Sequence, residues 1–259
     1  MTVYIHIGTV KTGTTTIQNF LFKNGSILKN NYGFIYPLTF LRNNHHWNIV
    51  DFVLNESQRL GKSEEYSKLQ TKLKNEINSS KCQKIIFSTE GITREFYNKK
   101  YIKFFKSFLS ELGINQFYII VYFRETIDFI SSFSSQNIKA GILHETDRLK
   151  PIEHKLKFAF DYRWILENYS EIFGKQNIIV RLFDKREFYQ QDLLKDFINA
   201  IGLEWDEDFF IPERQNECLD LLGIELQRRL NKIYPNFYFN EISCRIKNRN
   251  TNRQFFVDI

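Results

Sequence analysis

Four runs of apolar and β-branched residues punctuate the chain: VYIHIG (3–8), KIIFST (84–89), QFYIIVYF (116–123) and NIIVRLF (177–183). Near-continuous apolar runs of this length predict strands buried on both faces of a parallel sheet. Between them, apolar positions recur with helical spacing. TTTIQNFLFKNGSILKN places Ile17, Phe20, Leu21 and Leu28 on roughly one face. YIKFFKSFLSEL (101–112), TIDFISSFSSQNI (126–138) and FDYRWILENYSEIF (160–173) share that periodicity. Strands alternating with helices predict βαβ units and an α/β fold. With four Pro, no Ser/Gly-rich linker and no internal repeat, the simplest expectation is one domain over 1–259. A helical insertion at about 45–80 precedes the second core strand.

Composition narrows this picture only a little. The 259 residues suffice for one sizeable α/β core. A net charge of +6 suits an anionic ligand and equally suits a solvated surface. No block of five or six like charges suggests a nucleic-acid tail, so no nucleic-acid partner is expected. Cys82, Cys218 and Cys244 are widely spaced and form no C-x-x-C pair, which argues against a disulfide scaffold and a zinc site. No signal peptide and no run of 18 apolar residues is present, so the expectation is a protein of a reducing cytoplasm.

Ligands of open parallel sheets sit at the carboxyl ends of the strands. Just past the first strand stands HIGTVKTGTTT (6–16). A strand, a glycine-containing turn and a helix direct backbone N–H groups and a helix dipole at an anion. Thr14, Thr15 and Thr16 add hydroxyls at the helix start. The ATP/GTP pattern G-x-x-x-x-G-K-[ST] requires Lys after its second glycine. Gly8 and Gly13 have the right separation, but position 14 is Thr and the Lys stands at position 11. At the crest of the loop, Lys11 suits an oxygen bridging two groups better than a metal-bound triphosphate.

The stretch Lys11-Thr12-Gly13-Thr14-Thr15 at the end of the first strand resembles the 5′-phosphosulfate loop of sulfotransferases that use 3′-phosphoadenosine 5′-phosphosulfate (PAPS). HIGTVKTGTTTIQNFL is similar to the bacterial carbohydrate-type members in particular, with Thr16 where many relatives have Trp. The resemblance implies a P-loop-like parallel sheet flanked by helices, PAPS as donor and no metal. It implies binding of the 5′-phosphosulfate by Lys11, Thr12, Gly13, Thr14, Thr15 and Thr16. For the 3′-phosphate it implies an Arg ending a central strand and a Ser eight residues on. VYFRETIDFISSF supplies Arg124 and Ser132, with Thr126 where the family usually has Pro. Eight residues are about two helical turns, which keeps Ser132 near the face of the first turn. The segment at about 214–232 looks like the C-terminal helix of the same bacterial group.

Transfer to a hydroxyl needs a base, which in this family is a His or Glu near the end of the second strand. IIFSTEG supplies Glu90 there, and a carboxylate in a partly desolvated cleft suits that task. The competing role for Glu90 is a helix-start carboxylate facing the dipole of TREFYNKKY. His46 is the rival base, in an insertion expected to overhang the cleft. Tyr36, His45 and Trp47 are candidate acceptor-lining residues for a sugar or another small hydroxyl compound. His144 and His154 flank ETDRLKP (145–151), a candidate loop or lid, and CRIKNRNTNR (244–253) is a basic segment near the end. Two other classes remain open here: a P-loop kinase or NTPase, which lacks its Lys, and a non-catalytic nucleotide-binding module, which needs no base.

Overall fold

A computed structural model describes residues 1–141, 160–213 and 221–233. Strand β1 (Thr2–His6) occupies the centre of a five-stranded sheet of order β2-β3-β1-β4-β5, with every pairing parallel. The others are β2 (Phe34–Ile35), β3 (Lys84–Ser88), β4 (Gln116–Phe123) and β5 (Ile178–Leu182). The four apolar runs thus form strands, and the fold is the expected α/β sheet flanked by helices. The two-residue β2 was not legible, because two ladder positions generate no periodicity.

Alternation along the strands divides the core. Val3, Ile5, Ile85, Phe87, Ile119 and Val121 face one apolar cluster, whereas Ile86, Ile120 and Tyr122 face another. The first cluster is closed by α3 (Trp47–Glu56), α4 (Glu64–Ser80), the short α5 (Gly91–Glu95), α6 (Lys99–Glu111) and α8 (Tyr162–Phe173). The second is closed by α1 (Thr14–Lys23), α2 (Gly25–Tyr32) and α9 (Leu193–Ala200). Covering both faces explains the unbroken apolar runs.

Two expectations change. The pattern at 14–30 forms two helices, broken at buried Asn24. Asn24 Nδ2 donates to the carbonyls of Phe20 and Phe210, and its Oδ1 accepts from Phe210 N–H at 2.8 Å. A side chain that replaces main-chain partners in this way ends one helix and ties down a distant segment. The insertion before β3 is helical, but it is no mere overhang. Ile49, Val50, Val53 and Leu73 are fully buried in the first cluster, so α3 and α4 belong to a layer of the fold.

The contacts group residues 1–125 and 160–213 into one compact unit and residues 126–141 and 221–233 into another. The second contains α7 (Thr126–Lys139) and α10 (Leu221–Ile233). Within it Asn231 Nδ2 donates to the Ile138 carbonyl at 2.7 Å, and Asn231 Oδ1 accepts from Gln227. The candidate lid at 145–151, the basic segment at 244–253, Cys218 and Cys244 lie outside the described residues. Among the described residues, no helix is long and apolar enough to cross a membrane.

Candidate functional site

The strand order reverses direction at β1: β2 and β3 lie on one side, β4 and β5 on the other. In open parallel sheets ligands bind at such a switch point, here the carboxyl ends of β1 and β4. The loop after β1 lies there and is tied to β4 through its backbone. Tyr122 N–H donates to the Gly8 carbonyl at 2.7 Å, and Thr9 N–H donates to the Tyr122 carbonyl at 3.0 Å. The Thr9 hydroxyl donates to the same carbonyl, and the buried Thr12 hydroxyl donates back to the Thr9 carbonyl at 2.6 Å. Thr12 therefore shapes the loop with its side chain and leaves only its backbone for a ligand.

Lys11 sits at the crest with φ 65°, and Gly13 starts α1 with φ 71°. No side chain caps α1, and its first turn holds no acidic residue. Its first N–H groups and the positive end of its dipole are thus available to an anion. Thr14 is buried, Thr15 exposed and Thr16 half-buried. Glycine suits position 13, where φ is 71° and a Cβ would press on the tip of Leu193 at 2.4 Å and on Phe183 Cε2 at 3.0 Å.

Glu90, just past β3, meets this loop. A Cβ on Gly8 would lie 2.9 Å from Glu90 Cβ and 3.2 Å from its Cα. Gln18 Nε2 donates to Glu90 Oε2 at 2.7 Å. On the other flank Arg124 donates Nη1 to the Lys11 carbonyl at 3.1 Å, with its guanidinium over the Phe183 ring. Tyr162 stacks on Phe123, donates to the Arg124 carbonyl at 2.7 Å and pairs with the Thr9 side chain. Burial raises the Tyr162 phenol above its ordinary range. Lys11, Gly8, Glu90 and Arg124 are therefore brought together. Ser132 lies half-buried in the second turn of α7, in the other compact unit.

The two histidines divide. His46 is fully buried: its Nδ1 accepts from Ser88 N–H at 3.1 Å, and its Nε2 donates to the Pro37 carbonyl at 2.8 Å. Burial lowers its pKa to about 4. Both ring nitrogens are engaged, so His46 has no atom left to accept an acceptor's proton, and it serves as a brace between β3 and the segment before α3. His45 is the histidine whose charge interacts with Glu90. It is half-buried, its Nδ1 lacks a hydrogen-bond partner, and burial lowers its pKa, with Arg42 adding to the effect and Glu90 opposing it.

Tyr36 is also near enough to feel Glu90: burial first, then that carboxylate, pushes its phenol well above the ordinary range. Its hydroxyl is committed to the Asn44 carbonyl at 2.9 Å, and only 6% of its surface is exposed. Trp47 lies against Gly91, with the guanidinium groups of Arg42 and Arg94 at 5.6 and 5.8 Å from its ring. Its ring thus already carries cation–π contacts rather than standing as a bare platform for a sugar.

Gln18 and Tyr162 were missed in the sequence. Gln18 carried a usable signal, a polar residue among Thr14, Ile17 and Leu21 on the buried face of α1. Tyr162 carried none. Among the described residues, no group of three or more His, Cys, Asp or Glu side chains is gathered as metal ligands would be. A hollow of about 230 Å³ lies between α3, α4 and α6, but neither the loop, Glu90 nor Arg124 lines it. Its charges already pair, with Lys62 donating to Glu111 at 2.7 Å and Arg59 held 3.2 Å from Glu56.

No protein-family model matches the chain, and no solved structure matches it. The chain is similar to an uncharacterized protein of Archaeoglobus fulgidus, at 28% identity over 121 residues. That match covers 47% of this chain and 32% of the relative, so the chain spans about a third of the relative's length.

Proposed function

We propose that the chain transfers a sulfuryl group from PAPS to a hydroxyl of a glycan or other small acceptor. One observation carries the reading. The loop that resembles a phosphosulfate cradle packs against the Cα and Cβ of Glu90 and is clamped by an arginine, Arg124. In this reading an anion site, a base and a second cation meet at the carboxyl ends of one sheet's strands.

In this reading the amides at the start of α1 receive the 5′-phosphosulfate, and Arg124 receives the 3′-phosphate. Glu90 takes the proton of the acceptor hydroxyl as that oxygen forms its bond to sulfur. The bond from sulfur to the 5′-phosphate oxygen breaks in line, and Lys11 stabilises the charge left on that oxygen. The products are the sulfated acceptor and 3′,5′-adenosine bisphosphate (PAP). His45, beside Glu90, and the Arg42–Trp47–Arg94 group form the acceptor side. A cytoplasmic enzyme of this kind acts on its glycan before export.

Calorimetric titration of PAP, AMP, ATP and GTP without metal tests the donor half. The expected result is binding of PAP that survives chelator and greatly exceeds that of AMP. Metal-dependent binding of ATP or GTP in preference to PAP would instead identify a P-loop NTPase. Radiolabelled PAPS with a panel of sugars and phenols then tests transfer.

A further inference from the structure

Helix α1 buries Thr14, Ile17, Gln18, Phe20 and Leu21. Gln18 is the long polar side chain on that inner face, only 4% exposed, and a buried amide without a partner is costly. Its partner is Glu90, 72 residues away in the chain, at 2.7 Å. Thr14 and Gln18 are four residues apart and share a face of α1, whose first turn closes the anion loop. One rigid helix therefore carries both the loop's N–H donors and the donor that holds the carboxylate.

We propose that Gln18 is a positioning residue for Glu90. This rests on the reading of Glu90 as the base. The Gln18 amide engages Oε2, so the carboxyl plane is set and Oε1 is presented to the acceptor hydroxyl. Gly8 lies close against Glu90, where a Cβ at position 8 would stand 2.9 Å from Glu90 Cβ and 3.2 Å from its Cα. An anion seated at the N-terminus of α1 fixes that helix and, through Gln18, the base. Among the described interactions, those of the titratable groups His45 and Tyr36 reach the same carboxylate, and neither has a described hydrogen bond to it.

The test compares Gln18→Met, which keeps length and volume without the donor, with Gln18→Glu, which sets a like charge against Glu90. For Gln18→Met, kcat should fall about 10- to 100-fold, the effect of losing a hydrogen bond to a charged group, with the KM for PAPS and the affinity for PAP unchanged. Gln18→Glu should fall further. The ¹³C carboxyl resonance of Glu90, assigned by its absence in Glu90→Gln, should shift in Gln18→Met, and this signal needs no turnover. An unmoved resonance overturns the contact. An unchanged kcat in Gln18→Met overturns the positioning role while the sulfotransferase reading stands. A Glu90→Gln variant as active as the natural protein overturns the base, and Gln18's role with it.

Discussion

Arg124 holds the carbonyl of Lys11 at 3.1 Å, so the residue just past β4 clamps the crest of the loop that follows β1. The clamp is itself braced, by Tyr162 on the Arg124 carbonyl and by the Phe183 ring beneath the guanidinium. One planar group with five donors can hold a carbonyl and still face a phosphate.

Arg124→Ala should weaken PAP binding by about 2–4 kcal/mol, the range for removing one partner of a desolvated charge pair. Arg124→Lys should lie between, keeping the charge and losing the fork. Calorimetry with PAP and AMP in parallel separates the two tasks of this residue. A loss confined to PAP assigns Arg124 to the 3′-phosphate; equal losses would reduce it to a loop tether.

Glu90→Gln should leave PAP affinity nearly unchanged and lower turnover by about two to four orders of magnitude, the usual contribution of a general base. His46→Gln should spare turnover in the properly folded fraction, because the imidazole is walled in between Pro37 and Ser88. Steady-state rates on a common acceptor decide this, and a dead His46 variant of full stability would refute it.

Gly8→Ala should destabilise the fold by about 2–5 kcal/mol. The backbone at φ 96° disfavours any side chain, and the new methyl would press on Glu90 Cβ and Cα. Urea unfolding measures the loss. A midpoint within error of the natural protein would mean that Glu90 does not pack against the loop.

The buried histidines make the fold sensitive to acid. Burial lowers His46 to about 4 and His6 to about 3, against about 6.5 in an unfolded chain. The unfolded state therefore binds the protons first. The stability each histidine contributes is complete above about pH 6.5 and is lost as pH falls toward its folded value, by about 1.4 kcal/mol per pH unit. Urea midpoints at pH 7 and pH 5 should differ accordingly, and His46→Gln should remove about half of the difference. Equal midpoints at the two pH values would contradict the burial of both rings.

Much of the fold was legible because its signals are local. The apolar runs at 84–89 and 116–123 became β3 and β4 within a residue, since a strand covered on both faces must be apolar throughout. The helix at 14–30 was misjudged at Asn24, whose capping partner is Phe210, 186 residues away. No window of sequence contains that pair.

The sequence by itself determined the strand–loop–helix unit at 2–23, the placing of Glu90 and Arg124 just past strands, and the absence of Lys from position 14. These follow from backbone preferences and short-range periodicity. Only the tertiary structure decided between His45 and His46. The two are adjacent in sequence, but main-chain groups at Pro37 and Ser88 capture one ring, while the other remains half-exposed beside Glu90. The pairing of Gln18 with Glu90 was decided in the same way. A buried polar group must find a partner, and which partner it finds depends on how the sheet stacks its helices.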